Sequence, residues 1–236
     1  MKVAIIGYGK MGQVIEPILV ARGHEVVARY RSTDPWKSAD LRRSDLALEF
    51  THPSAAVSNL EACLDAGIPV VTGTTGWYDQ LPSIRKKTEE KNGALFYASN
   101  FSLGVNLFNE IVRQAAVLFA KHAAYAPALK EIHHIHKKDA PSGTALTLAE
   151  SVLSAYNKLH GWTLDGASNA LRIEALREGD VKGYHEVQFN STTDRIVLSH
   201  EAHSRDGFAL GAVLAAEWLL GKQGVFGMRD LLNLHQ

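Results

Sequence analysis

The sequence has almost no sulfur chemistry, no net charge and no long hydrophobic run. Of its 236 residues one is cysteine, Cys63, so no internal disulfide can form, and a reducing compartment, the cytoplasm, is the expected location. Lysine and arginine together number 25, aspartate and glutamate 25, and no long Lys/Arg run occurs. A nucleic-acid partner, which needs basic excess or a basic stripe, is therefore not expected. The longest uncharged, mostly apolar run is Gly207 to Ala216, about half of a membrane span. Only four apolar residues separate Lys2 from Gly7, too few for a signal segment. Neither a membrane nor secretion is expected. The remainder is that of a chain able to bury a core, 46% hydrophobic and 21% charged, and its length suits one large domain or two small ones. One residue type is in excess: there are eleven histidines, three of them within His133 to His136.

Strand-like and helix-like stretches alternate through the first hundred residues. Val3 to Ile6 reads as a buried strand, Lys10 to Ala21 as a helix, and Glu25 to Ala28 and Leu46 to Phe50 as strands. Ser54 to Ala66 is a helix with Pro53 at its first turn, followed by a strand over Ile68 to Val71. A helix over Asp79 to Lys91 and a strand over Ala94 to Tyr97 complete the series. This repeated order predicts an α/β domain with a parallel, doubly wound sheet. After Asn100 the pattern changes. A long helix (Leu103 to His122) leads to a strand ending in the histidines, and a helix runs from about Ser142 to Leu159. Ala170 to Leu176, Tyr184 to Phe189 and Arg195 to Ser199 read as strands joined by polar turns, which predicts an α+β second domain with a mostly antiparallel or mixed sheet. The apolar helix Phe208 to Leu220 has no evident partner there and is expected to return to the first domain. The expected division is residues 1–102 with 209–236, and 103–208.

Gly7-Tyr8-Gly9-Lys10-Met11-Gly12 is a GxGxxG directly after a strand and opening a helix. The first glycine permits the turn, the second lets the backbone approach a pyrophosphate, and the third lets helix and strand pack closely. The helix N-terminus favours the negative charge. A dinucleotide, NADPH or NADH, is the expected cofactor. The usual acidic residue at the end of the second strand is replaced by Arg29-Tyr30-Arg31, with Asp34 beyond. The arginines, Arg31 in particular, can pair with a 2′-phosphate; the alternative is ordinary solvated surface charge. Ligands of open α/β sheets bind outside the carboxyl ends of strands, where this chain has Gly73-Thr74-Thr75 and Ala98-Ser99-Asn100-Phe101. Both loops are expected on the nicotinamide side, with Phe101 packing on its ring.

The segment from Glu131 through His133, His134, His136, Lys137, Lys138 and Asp139 to Pro141-Ser142-Gly143-Thr144 is the most unusual. In a strand, His134 and His136 share one face and His133 the other. Three readings compete. The histidines can be structural; His-x-His with Asp139 can ligate a metal, although two lysines adjoin it; or the segment is an acid–base site for an anionic substrate. In the third reading Asp139 or Ser142 caps a helix whose free N–H groups bind a carboxylate, and Lys and His supply charge and protons.

At this point the sequence resembles the 4-hydroxy-tetrahydrodipicolinate reductase (dihydrodipicolinate reductase) family of bacterial lysine biosynthesis, over nearly the whole chain. The resemblance rests on the glycine loop, Gly73 to Gly76, Ala98 to Asn106 and, most specifically, His133 to Ala145. It continues in Leu176 to Asp180, Ser204-Arg205, Phe208-Ala209 and Gly227 to Asp230. It implies a Rossmann domain, an inserted substrate and tetramerisation domain, and NAD(P)H-dependent reduction of a small dicarboxylate by a homotetramer, without a metal. It also implies roles: His133 as acid/base, Lys137 as proton donor, His134 in substrate binding, and Gly143 with Thr144 as the carboxylate-binding pair. Gly7 to Gly12, Gly73 to Thr75 and Ala98 to Phe101 match cofactor contacts. The chain departs from the family in a shorter segment before Leu46 and in the missing acidic residue at the second strand, which argues against a preference for NADH. The rival from another class is a non-catalytic nucleotide-sensing protein.

Overall fold

Val3, Ala4, Ile5 and Ile6 are all buried, the mark of a strand covered on both faces. They belong to β1 (Lys2–Ile6), which α1 (Lys10–Ala21) follows, then β2 (Glu25–Tyr30) and β3 (Leu46–Glu49). Next come α2 (Pro53–Asp65), β4 (Val70–Thr72), α3 (Leu81–Glu90) and β5 (Ala94–Tyr97). The second half runs α4 (Leu103–Phe119), β6 (Ala126–His133), α5 (Gly143–Leu153), β7 (Trp162–Thr163), β8 (Leu171–Arg177), β9 (Tyr184–Asn190) and β10 (Arg195–Glu201). It ends with α6 (Asp206–Leu219), β11 (Gly224–Phe226) and α7 (Met228–Leu231). This computed structural model describes every residue except 32, 35, 37, 205, 235 and 236, and the side chains of 38 and 39. Position 205, part of the motif noted above, thus lies outside the described residues.

The chain divides into two units, Met1–Leu103 with Asp206–Gln236, and Gly104–Arg205. In the first, six strands in the order β11-β5-β4-β3-β1-β2 pair in parallel throughout. One face carries Ile15 and Leu19 of α1 and Ala212, Val213 and Ala216 of α6, packed on Val3, Ile5, Leu48 and Phe96. The other carries Leu60, Cys63 and Leu64 of α2 and Ile84 of α3, packed on Ala4, Ile6, Ala47, Val70 and Leu95. This is the doubly wound α/β layering that the alternation predicts. The apolar helix near the C-terminus, α6, belongs to this unit and covers its sheet. Three residues after it form β11 on β5, an element too short to show a period.

In the second unit the order is β10-β9-β6-β8-β7. β9 is antiparallel to β10 and β6, whereas β6–β8 and β7–β8 are parallel, so the sheet is mixed. Phe108, Val112 and Ala116 of α4 and Leu148, Ala149 and Val152 of α5 pack on Leu129, Ile173, Val187 and Phe189. The helix expected to reach Leu159 stops at Leu153, where Ser154 and Asn157 favour turns over helix. Among the described residues no helix is long and apolar enough to cross a membrane.

Candidate active site

The glycine loop joins β1 to α1. Gly7 has φ +94°, and a Cβ there would lie 2.1 Å from the Phe50 carbonyl oxygen. A Cβ on Gly12 would lie 2.8 Å from the Gly7 carbonyl oxygen, so helix and loop pack too closely for a side chain. Gly9 differs: its N-cap backbone is extended and a Cβ would meet nothing within 4 Å. No side chain caps α1, which leaves its first N–H groups available to an anion. The N–H groups of Gly7 and Tyr8 both donate to the Tyr30 carbonyl at 2.9 Å, tying the loop to the end of β2. Lys10 is exposed and Met11 half-buried against the core. Open space at Gly9 and an uncapped helix start are what a pyrophosphate requires.

At the end of β2 the two arginines part company. Arg29 donates from Nε to both Glu16 carboxylate oxygens at 2.9 and 3.0 Å and from Nη2 to Oε1, while the Tyr8 phenol also donates to Glu16. These bonds, Arg29 first, hold the Glu16 carboxyl down at about 2. Arg29 is therefore committed to Glu16, which leaves Arg31 as the arginine able to reach a 2′-phosphate. Arg31 is exposed, its guanidinium 5.6 Å from the centre of the Tyr8 ring, with no carboxylate on its side chain among the described residues. Asp34 is exposed and accepts the Arg31 backbone N–H at 2.9 Å.

The carboxyl ends of β3, β4 and β5 form the remaining rim. Gly73 passes against the Phe50 ring, where a Cβ would stand 2.1 Å from a ring carbon. Thr74 is buried and its hydroxyl accepts the Thr51 N–H at 2.9 Å, while Thr75 and Ser99 are exposed and Ala98 is buried. The Asn100 side chain accepts the Ser102 N–H at 2.9 Å and so shapes the turn. Phe101 corrects an expectation: the residue is only 4% exposed, its ring stacked on Phe96 with centroids 5.8 Å apart, and it belongs to the core. A residue absent from the sequence reading is Glu49, fully buried at the end of β3. Its carboxylate accepts from Thr72 Oγ1 at 2.5 Å, from Thr51 N–H at 3.2 Å and from Asn59 Nδ2 at 3.4 Å. Among the described residues hydroxyls and amides, not a cation, satisfy this carboxylate, which locks the rim together.

In the second unit, β6 ends at His133, whose carbonyl still accepts the Glu178 N–H at 2.8 Å beside β8, and the chain then turns. His134 and His136 are consequently in a loop, closed by Lys137 N–H on the His134 carbonyl at 3.1 Å, and do not share a strand face. Glu131 and His133 share one instead, both buried. Glu131 Oε2 is 3.4 Å from His133 Nδ1 and 3.8 Å from His185 Nε2; Oε1 accepts the Ser142 N–H at 3.0 Å and Arg177 Nη2 at 3.3 Å. Lys137 Nζ donates to both Asp139 oxygens at 2.7 and 2.8 Å, which holds the Asp139 carboxyl below its ordinary range. Ser142, not Asp139, is the helix cap: its hydroxyl accepts the Ala145 N–H at 3.2 Å and contacts His185 Nε2 at 3.2 Å. Gly143 is exposed with open space at its Cβ position, and Thr144 follows in the first turn, half-buried. The helix start, His133 and Lys137 thus belong to one unit, with a place for an anion and groups able to hold a proton.

Glu131, His133 and His185 also bring three possible metal-ligating atoms within 4.8 Å of one another. They are not the His134, His136 and Asp139 of the metal reading. Arg177 already supplies the positive charge that the Glu131 carboxylate needs, and Lys137 adds a second nearby. The chemistry of the cluster is that of a hydrogen-bonded ion pair beside two imidazoles whose charged form burial disfavours.

Burial pushes His185 down to about 3, helped by nearby His133, His200 and Lys137, and burial likewise lowers His133 against the opposing pull of Glu131. In the unfolded chain imidazoles take up protons near pH 6.5. The unfolded state therefore binds more protons, and stability is lost as pH falls from about 6.5 towards 3. Glu16 and Glu217, both held at about 2, add acid sensitivity as pH falls from about 4.5 towards 2. Between pH 6.5 and 5 the loss belongs to the histidines. Unfolding free energies from denaturant titrations across that window are expected to depend less steeply on pH in His185→Gln, by up to about 1.4 kcal/mol per pH unit; an unchanged slope would mean that His185 takes up its proton as readily in the native state as in the unfolded one.

Two family profiles match the chain: dihydrodipicolinate reductase, N-terminus, over residues 1–101, and dihydrodipicolinate reductase, C-terminus, over residues 104–232. A 4-hydroxy-tetrahydrodipicolinate reductase from Christiangramia forsetii is 44% identical over 236 residues, 99% of this chain and 98% of the relative. One from Archaeoglobus fulgidus is 35% identical, covering 99% of this chain and all of the relative. Among solved structures, a dipicolinate-bound dihydrodipicolinate reductase from Paenisporosarcina sp. TG-14 has the same fold, with a TM-score of 0.82 at 23% identity over 98% of both chains. With both halves matched and full-length relatives well above chance identity, the chain belongs to the dihydrodipicolinate reductase family.

Proposed function

We propose that this protein reduces 4-hydroxy-tetrahydrodipicolinate to tetrahydrodipicolinate and water with NADPH or NADH, the activity named for its relatives from C. forsetii and A. fulgidus. The observation that carries the reading is the capped helix start at Ser142 in one unit with buried His133 and with Lys137. A carboxylate of the substrate is held at Gly143 and Thr144, with His134 as a further contact. When bound, the reduced nicotinamide supplies a hydride. The chain supplies the proton that the reduced ring requires, from Lys137 Nζ or His133. Asp139 keeps the Lys137 ammonium paired until a substrate carboxylate competes for it. The cofactor is held by Gly7 to Gly12, Gly73 to Thr75 and the loop that begins at Ala98. A small dicarboxylate is the expected partner, and the reading places the enzyme in the cytoplasm as a homotetramer. The face of the second sheet opposite its helices, with Tyr184, Glu186 and Gln188 half-exposed along β9, is available for that assembly.

Turnover is tested by following reduced-nicotinamide absorbance with freshly prepared substrate. Tight cofactor binding without turnover would favour the nucleotide-sensing alternative.

Arg31 sets the choice of cofactor in this reading. A charged hydrogen bond to a 2′-phosphate is worth about 1.5 to 3 kcal/mol, so NADPH is expected to be preferred about tenfold to a hundredfold, less where the site stays solvated. Arg31→Ala is expected to bring the two kcat/KM values together by raising KM for NADPH, and rising salt to do so partially. Equal values in the parent would leave Arg31 as surface charge.

A further inference from the structure

We propose that Glu131 and Arg177 form a buried pair that positions both proton-transfer groups, Glu131 through His133 Nδ1 and Arg177 through the backbone of Lys137. Glu131 is fully buried, and a lone buried carboxylate is costly unless it is paired and hydrogen-bonded. Strand alternation puts Glu131 and His133 on the same side of β6, and the carboxylate divides its two oxygens. Oε1 takes the Ser142 N–H and Arg177; Oε2 makes no hydrogen bond among the described residues and lies 3.4 Å from His133 Nδ1, itself buried without a hydrogen bond, so each is the other's nearest complement. A carboxylate there favours the tautomer with the proton on Nδ1 and leaves Nε2 for the substrate. Arg177 reaches the other group. Its Nε donates to the Lys137 carbonyl at 3.2 Å and its Nη2 to the Asp139 carbonyl, so the guanidinium spans the loop that presents Lys137. One ion pair therefore ties the acid/base imidazole, the ammonium and, through Ser142, the carboxylate-binding helix start to a single point. A well-packed apolar pair would be at least as stable in that place; its charge serves geometry.

The inference rests on the roles proposed for His133 and Lys137, and its first test does not use the reaction. In Glu131→Gln the amide oxygen still accepts the Ser142 N–H, but the charge facing His133 is gone. The His133 imidazole, followed by NMR without substrate, is expected to titrate at lower pH than in the parent, because the negative charge that favours imidazolium is removed; an unmoved titration overturns the pairing. The second test does use turnover. Glu131→Gln is expected to lower kcat about tenfold to a hundredfold, a share of what acid–base groups contribute, with KM for the cofactor unchanged. In a His133→Ala background the same change is expected to cost less than about threefold, since residues acting through one another are not additive. Equal losses in both backgrounds, or a raised substrate KM with kcat intact, would make Glu131 only the anchor of α5 and overturn the proposal. A parent that does not reduce the substrate refutes the reaction and leaves the NMR result standing. Should Glu131→Gln not fold, Arg177→Lys decides: it keeps the charge, loses the fork that spans two carbonyls, and is expected to lose at least about tenfold in kcat; full activity overturns the proposal.

Discussion

Lys137→Ala is expected to lose about 10² to 10⁴-fold in kcat, the usual share of a general acid, while its thermal midpoint barely moves. Lys137 lies in a loop, and its partner Asp139 is 58% exposed; an ion pair of that kind contributes about 0 to 1 kcal/mol. The backbone of the loop is held by Arg177 and by the Glu178 and Lys137 N–H groups, none of which needs the Lys137 side chain. Activity and folding therefore separate at this residue. Lys137→Arg sharpens the result. It keeps the positive charge for a substrate carboxylate, yet a guanidinium holds its proton too tightly to give it up. Loss of kcat in both variants assigns proton transfer; recovery in Lys137→Arg assigns charge alone. A Lys137→Ala rate within about threefold of the parent would remove Lys137 from the chemistry.

Much of the fold was legible because its signals are local. The run Val3 to Ile6, the glycines at 7, 9 and 12, and Ser142 before Gly143 each report their own backbone, and each lies where such signals place it. The first unit's alternation fixed a parallel sheet, but not β11, whose three residues carry no period. The candidate site was legible only in its contiguous parts. His133, Lys137, Gly143 and Thr144 fall within one short stretch of chain. Their supports do not: Arg177 comes from β8 and His185 from β9, and only the register Glu131–Ala175 and Glu131–His185 brings those strands beside β6. Glu131 itself adjoined the histidines in sequence, yet an acidic residue in a strand ordinarily reads as a solvated one. The missed signal was its spacing, two residues before His133 and hence on the same face. Arg29 and Phe101 are drawn away from a ligand for the converse reason. Both have the right chemistry for a cofactor, but Glu16, one helical segment earlier, and Phe96, on the preceding strand, take up the groups concerned.

Gly7→Ala is expected to damage the fold and the cofactor site together. An L-residue in the left-handed region costs about 1 to 2 kcal/mol, and Gly7 has φ +94°. The added methyl would stand 2.1 Å from the Phe50 carbonyl oxygen and 2.9 Å from Thr51 Cγ2. The oxygen is backbone, so the end of β3 must shift, and overpacking of this kind costs about 1 to 3 kcal/mol. Together the two give about 2 to 5 kcal/mol, or a fall in thermal midpoint of about 4 to 20 °C for a chain of this size. Displacing Thr51 disturbs its bonds to Glu49 and Thr74, so the rim of the nicotinamide side loosens with the glycine loop. Cofactor affinity is expected to fall at least about tenfold, the equivalent of 1.4 kcal/mol. Gly9→Ala is the control. Its backbone is extended and its methyl meets no protein atom within 4 Å, so stability is expected to stay within about 0.5 kcal/mol of the parent. Any methyl there occupies the space left for a pyrophosphate, and binding is expected to weaken without unfolding. Calorimetric titration with NADPH beside thermal melts of both variants reads the two effects separately. If Gly9→Ala binds the cofactor as tightly as the parent, the glycine loop is a structural turn and the dinucleotide lies elsewhere.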